Sequence, residues 1–387
     1  MDQHYDAIVV GGRCAGGATA MLLARGGLRV LVVEGARPGT DTLSTHALMR
    51  GGVVQLHRWG LLDAVIDAGT PAIATTEFAY GDQIESIDLR PGGGVSALYG
   101  PRRTVLDPLL LDSAQAAGAQ VRMPALVKRL LTRGSVIVGI EGIDRGTGTP
   151  FRATAPLTIG ADGRNSIVAH AVDAAIRRRG HASGAIVYGY VPGFARDRYR
   201  WAYRPGVTAG VVPTGDGLAC VWAGTDSARF AGQRSAGLES VYHSLLAEAA
   251  PDVARTVAAG PPARLHAFPG TPGLLRACAG PGWALVGDAG YFKDPITAHG
   301  ITDALRDAEL LARAVLDTPG GGTARRAALR DYESVRDRLS LPLFDVTDRI
   351  AGYQWDLDEL RGYLKELSAA MRPEVDALLA LDQTPAA

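Results

Sequence analysis

Residues 6–35, DAIVVGGRCAGGATAMLLARGGLRVLVVEG, leave the chain little choice of fold. Ala7–Val10 and residues 28–33 are continuous apolar runs rich in β-branched side chains, the character of strands buried on both faces of a parallel sheet. Between them a glycine-rich turn opens a helix. Its small residues Ala15, Gly16, Gly17 and Ala18 permit close approach to a strand, while Met21, Leu22 and Leu23 supply apolar bulk. The second strand ends in Glu34, eighteen residues after Gly16. Strand, G-x-G-x-x-G turn, helix, strand and acid follow one another as in a dinucleotide site. Gly11 allows the tight turn, helix N–H groups at Cys14 and Ala15 face a pyrophosphate, and Glu34 accepts from an adenosine ribose. The thiol of Cys14 reads as a small filler at the helix start. One residue departs from the pattern: the middle glycine is Arg13, which fits there when its φ is negative and its side chain turns away from the phosphates or lies along them.

A chain of 387 residues with this beginning has room for two or more units around a large ligand. Apolar content of 47%, charged content of 21% and zero net charge speak against a nucleic-acid partner. Cys14, Cys220 and Cys278 are odd in number and far apart, which suits a reducing compartment, and no metal-ligand spacing is present. With no basic and apolar leader before the first strand and no apolar run of bilayer length, a cytoplasmic location is expected.

Residues 47–67 have the pattern of one amphipathic helix, and TVLDPLLLDSAQAAGAQV, 104–121, that of a helix leading into a strand. From about residue 183 to 224 the chain changes to aromatic and β-branched residues broken by Gly and Pro, as in AIVYGYVPG and RWAYRPG, which predicts an inserted antiparallel sheet. Helical spacing returns after Thr323, where the acidic run DLDEL reads as a solvated helix face.

Two further segments join the first: IGADGRNSIVAHA at 159–171 and GWALVGDAGYFKDPITAHGITDALRDAELLARAV at 282–315. Together the three resemble the FAD-dependent oxidoreductases of the aromatic-hydroxylase superfamily, which also contains geranylgeranyl reductases and flavin halogenases. The resemblance runs from residue 5 to about 340. It implies that Asp162 and Gly163 lie near the FAD pyrophosphate and serve NAD(P)H use, and that Asp288 reaches the ribityl chain. It places Pro295, Gly300 and Ile301 beside the isoalloxazine ring and Arg103, in RRTVLD, on the FAD phosphates; Val127 completes the expected cofactor set. A helix beginning near Gly300 would aim its N–H groups and positive end at a ring that becomes anionic on reduction. The chain departs from the family at Ala298-His299, where Gly-Gln is usual, and at Thr302, where Asn is usual, so contacts made by those side chains do not carry over.

The expected fold class is therefore α/β: a Rossmann-like FAD-binding domain (1–75, 100–180 and 265–320), an inserted antiparallel β-sheet substrate domain (76–99 and 181–264), and a C-terminal helical region (321–387). No nucleophile triad, metal cluster or thiol pair accompanies the motifs, so the chemistry belongs to the cofactor. The resemblance implies a monooxygenase, monomer or homodimer, in which NADPH or NADH reduces FAD and O2 supplies the atom that hydroxylates or epoxidises a small aromatic or polyketide-like molecule. An alkene reductase of the geranylgeranyl type and a non-redox FAD protein that binds or cyclises a ligand are the alternatives. The halogenase branch fits less well, because the first lysine is Lys128 and YRWAYRP at 199–205 fails the W-x-W-x-I-P signature. In DTLSTHALMRGG, 41–52, the expected catalytic groups are His46, as general base or substrate anchor, and Arg50; a capping role is the plainer reading of His46. Tyr188, Tyr190, Trp201, Tyr203 and Trp222 are expected to alternate between sheet faces, some binding substrate and the rest packing the core. His299 is either flavin-proximal or solvent-facing.

Overall fold

A computed structural model describes residues 3–37 and 39–381; the last six residues of the expected C-terminal region, 382–387, lie outside the described residues. The first sheet runs in the order Ala279–Gly280, Trp283–Leu285, Thr158–Gly160, Ala7–Val10, Val30–Val33, Gln120–Arg122. Every pairing in it is parallel except the first, and both strands read from the opening motif are buried along their whole length. The helix Cys14–Arg25 follows the first of these strands directly. A Cβ on Gly16 would stand 1.8 Å from the Gly11 carbonyl oxygen, so the absent side chain is what lets the helix start so close to the turn. Residues 47–67 form two helices instead of one, Arg50–Arg58 and Leu62–Asp67, because the chain turns between them through Gly60 at φ 73°.

The second sheet has seven strands in the order Leu265–Phe268, Gly184–Pro192, Leu218–Asp226, Val207–Pro213, Arg198–Arg204, Thr75–Tyr80, Gln83–Asp88. It departs from the expected antiparallel arrangement at one junction. The hairpin of the last two strands comes from an earlier part of the chain and docks parallel to Arg198–Arg204. The five sheet aromatics do not alternate between faces. Tyr188 pairs with Trp222, Trp222 with Gly210 and Gly210 with Trp201. Tyr190 and Tyr203 sit two residues along from Tyr188 and Trp201, so all five share one face, the face that joins the main core. The opposite face is aliphatic: Val187, Val211 and Val221 pack under the helices Leu238–Ala249 and Pro251–Ala259.

Two long helices, Gly322–Ala351 and Leu357–Ala380, pack on each other, and the first of them on Gly300–Leu316. The acidic run at 356 proves to be a helix start, in which the Asp356 carboxylate accepts the Asp358 and Glu359 N–H groups and Glu359 returns a bond to the Asp356 N–H. Among the described residues no helix is long and apolar enough to cross a membrane.

Candidate active site

A cavity of about 700 Å³ extends from Glu34 and Val127, past the Gly11 turn, to Pro295 and Gly300. Gly11 holds φ 99°, and a Cβ there would lie 2.4 Å from the Ala161 carbonyl oxygen. Arg13 has ordinary extended backbone, φ −83° and ψ −162°, and its side chain lines the cavity, so the position needs no glycine. Cys14 and Ala15 line it as well, at a helix N-terminus without a side-chain cap; Gly16 does not, being spent on the turn. Glu34 is held at both oxygens, one accepting the Gly12 N–H at 2.6 Å and the other the Ala36 N–H at 2.7 Å. The Arg103 Nε–H donates to Asp107 at 2.8 Å, and the Cys14 thiol donates to the same oxygen at 3.0 Å. Burial pushes the thiol pKa up, which makes Cys14 a protonated filler.

At the middle of the cavity, one Asp162 oxygen accepts the Ile167 N–H at 2.7 Å while the other is buried without a partner. Gly163, at φ 77°, and Asp288, in the turn Gly287–Ala289, complete this stretch of wall. Burial raises the Asp288 pKa, opposed by Lys293, Arg103 and Arg164. At the far end stand Pro295, Gly300 and Ile301. The helix Gly300–Leu316 carries no side-chain cap, so its first N–H groups have no capping side chain, and Gly300 and Ile301 at its start line the cavity. Ala298, where the family has glycine, takes φ 52°. The Thr302 hydroxyl accepts the Met49 N–H at 3.1 Å and ties the 44–49 loop to this helix.

His46 lines the cavity, is buried, and holds φ 67°, a backbone that a non-glycine residue adopts under strain. Its Nε2 lies 2.5 Å from the Tyr190 hydroxyl, and the Arg102 guanidinium covers the Tyr190 ring at 3.9 Å while bonding Asp41 at 2.9 Å. Burial, opposed by Asp41 and reinforced by Arg103 and Arg102, brings the His46 pKa down to about 3, so the imidazole is neutral. Tyr188 lines the cavity and accepts the Ser44 N–H at 3.2 Å. Arg50 is turned away: its guanidinium is taken up by the carbonyls of Arg90, at 2.7 Å, and Gly92, at 3.2 Å, because the helix it opens points it at that loop.

Behind the helix start lies an ionic network that sequence spacing does not reveal. The Lys293 ammonium donates to Asp303, and Arg306 binds Asp303 at 2.9 Å, Glu374 at 3.0 Å and Asp307 at 2.7 Å. His299 faces neither solvent nor the cavity; it is buried with Nε2 3.1 Å from Glu374. Burial alone would raise the Glu374 pKa, but His299, Arg306 and Lys293 hold it at about 2. The ligand atoms of His299, Asp303 and Glu374 come within 4.8 Å of one another, yet these carboxylates already pair with Lys293 and Arg306, which disfavours a metal there. The signals in the sequence were partial: Lys293, inside the third motif, and the three-residue spacing of Asp303 and Arg306 on the helix that follows.

A second chamber of about 120 Å³ adjoins the first at Ala298, which lines both. Trp201, Tyr203 and Phe78 of the sheet form one wall, and Leu364, Leu367 and Met371 of the last helix form the other. Among the described residues no charged side chain lines it. Tyr190 and Trp222 line neither space; Trp222 is buried beside Trp201, with ring centroids 6.0 Å apart.

A protein family described as FAD binding domain matches residues 4–346. The chain belongs to that family. It is an FAD-dependent oxidoreductase, and the cavity fits the cofactor: a helix N-terminus and two arginines for phosphates, a fixed carboxylate for a ribose, and a second uncapped helix at the ring end. The digeranylgeranylglycerophospholipid reductase of Methanocella arvoryzae is 25% identical over 353 residues, covering 89% of this chain and 86% of that protein. Squalene epoxidase of Schizosaccharomyces pombe is 25% identical over 350 residues, 87% of this chain and 74% of that one. Among solved structures, the flavin-dependent brominase Bmp2 superposes with TM-score 0.79 at 17% identity, over 98% of this chain and all of that one. PqsL of P. aeruginosa, solved with 2-aminobenzoylacetate, superposes with TM-score 0.78 at 22% identity, over 94% of this chain and all of that one.

Proposed function

We propose that this oxidoreductase is a monooxygenase that uses NADPH or NADH and O2 to hydroxylate or epoxidise a small, neutral, electron-rich molecule. The observation that carries this reading is the uncharged aromatic chamber set against the ring end of the large cavity at Ala298. An apolar cavity of roughly 150 Å³ accepts benzene, so about 120 Å³ suits one ring or one alkene unit, with anything larger needing the last helix to shift. When bound, FAD supplies the redox chemistry and the activation of oxygen. The protein's part is to hold the substrate against the shared wall, exclude water with the Leu364, Leu367 and Met371 roof, and offer His46 as a neutral hydrogen-bonding group or general base. Asp162, with its free oxygen, and Gly163 lie where the family resemblance puts reductant use. With this goes the division of labour by segment: 1–75, 100–180 and 265–320 for the cofactor, 76–99 and 181–264 for the substrate, and 321–387 as a C-terminal helical region that lends the roof residues Leu364, Leu367 and Met371.

An alkene reductase is the second reading, favoured by the reductase among the relatives and by the same apolar wall. NAD(P)H consumption with a library of small aromatics and alkenes, run with and without O2, separates the two. Oxygen-dependent turnover with an oxygen atom from labelled O2 in the product supports the first reading; anaerobic reduction of the substrate overturns it in favour of the second. Failure of NAD(P)H to reduce the flavin under either condition overturns both and leaves the non-redox alternative.

A further inference from the structure

The cavity wall contains a cation that neither the motifs nor the proposed reaction uses. Lys293 lies between Asp288 and Pro295, its side chain 3% exposed and its ammonium clamped by Asp303 in the first turn of Gly300–Leu316. Taking an ammonium out of water costs several kcal/mol unless partners compensate; burial, with Arg306, brings the Lys293 pKa down to about 7, and Glu374, Asp288 and Asp307 keep it from falling further. In the ionic network behind the helix start, Asp303, Asp307 and Glu374 stand against Lys293 and Arg306, and the His299 ring bonds Glu374, with burial lowering its pKa. Arg306 is wholly buried and does not reach the cavity, whereas Lys293 does. Of the arginines in the described cavity wall, Arg13 and Arg103 stand by the Gly11 turn and Asp107, and Arg164 over the Phe268 ring at 5.1 Å and the Phe292 ring at 5.9 Å, so Lys293 is the cation of that wall tied to the Gly300 helix through Asp303.

We propose that Lys293 is the charge-setting cation of the flavin site: its ammonium, fixed by Asp303 beside the Gly300 helix start, stabilises the negative charge that FAD gains on reduction and so raises the reduction potential. The inference rests on the FAD reading of the cavity but on no particular substrate. Two electrons from dithionite, in place of NAD(P)H, and one proton from the solvent leave the bound ring with one negative charge, and a nearby ammonium favours that form over the oxidised one. The helix N–H groups act in the same direction through partial charge.

The test is reductive titration of the FAD holoprotein in equilibrium with a reference dye. Lys293→Met should shift the reduction equilibrium tenfold or more toward oxidised FAD, about 30 mV for a two-electron couple, while Lys293→Arg stays within threefold of the wild type. Lys293→Gln keeps a donor to Asp303 without the charge, must show the same shift as Met, and carries the test if the Met variant does not hold FAD. An unchanged potential in the uncharged variants, or an equal shift in the Arg variant, overturns the proposal in favour of a packing role. Wild-type protein that takes up no FAD would instead overturn the reading of the cavity itself.

Discussion

His46 keeps a left-handed backbone and a neutral ring in the cavity wall, and both follow from where the 44–49 loop is pinned. Ser44 is bonded to Tyr188, Met49 to Thr302 and Leu48 to Tyr199, so the loop cannot relax the residue between them. His46→Ala should leave FAD content nearly unchanged while lowering substrate-dependent turnover on the order of 10²-fold, read by flavin absorbance and NAD(P)H oxidation; unaltered turnover sinks the role. The same residue makes an acid-stability prediction. An unfolded histidine takes up its proton near 6.5, whereas the folded one resists until about 3, so between those values the unfolded state binds more protons and stability falls as the pH falls. Glu374, at about 2 against its usual 4.5, adds to the loss below pH 4.5. Asp294, buried and raised to about 7, acts in the opposite sense over the same range, so the His46 contribution is read as a difference: from pH 7 to 4 the urea midpoint of His46→Ala should fall relative to its own pH 7 value by less than that of the wild type does. Asp288 answers for the cofactor: removing a charge-assisted hydrogen bond costs roughly 1.5–3 kcal/mol, so Asp288→Ala should weaken FAD by one to two decades in a fluorescence titration.

Two helices and a turn contribute the charges of the ionic network behind the flavin end, the Ser340 hydroxyl of a third helix accepts from Arg306 at 2.9 Å, and Arg306 is the hub. Arg306→Met leaves Asp303, Asp307 and Glu374 short of a cation in a dry site, and should lower stability by about 3–5 kcal/mol in a chemical-denaturation curve. This is also the element that the sequence hid. The glycine turn, its two strands and the helices after 103 and 300 were legible because each is written locally, in period, cap or turn residues. Glu374 meets Arg306 and His299 only after the last helix has folded back, and no spacing along the chain records that encounter. The split at Gly60 and the escape of Arg50 to a loop carbonyl were missed for the same reason: helical periodicity persists across a glycine, and an arginine's direction is set by partners distant in sequence. The aromatic face of the sheet was readable in hindsight, since Tyr188 and Tyr190, like Trp201 and Tyr203, are two apart and share a face by the pleat alone.

For the molecule as a whole, the arrangement of two chambers with one shared residue separates what FAD needs from what the substrate needs. Leu367→Trp should fill the small chamber from the roof side. It is expected to raise KM for substrate at least tenfold or abolish substrate-dependent turnover, with FAD affinity unchanged within a factor of two. Parallel losses of both would show that the last helix supports the cofactor cavity as well.

The roof of that chamber and part of its wall are brought together from segments far apart in sequence: Met49, Phe78 and Leu98 on one side, Leu364, Leu367 and Met371 on the other. Contacts so distant in sequence are slow to form, because a long loop must close before they repay it. On the proposed monooxygenase reading the guard over the ring end is therefore a late contact, and a proteolytic nick in the helix Leu357–Ala380 should turn a guarded oxidant into an unguarded one, consuming reductant and oxygen with nothing to hydroxylate.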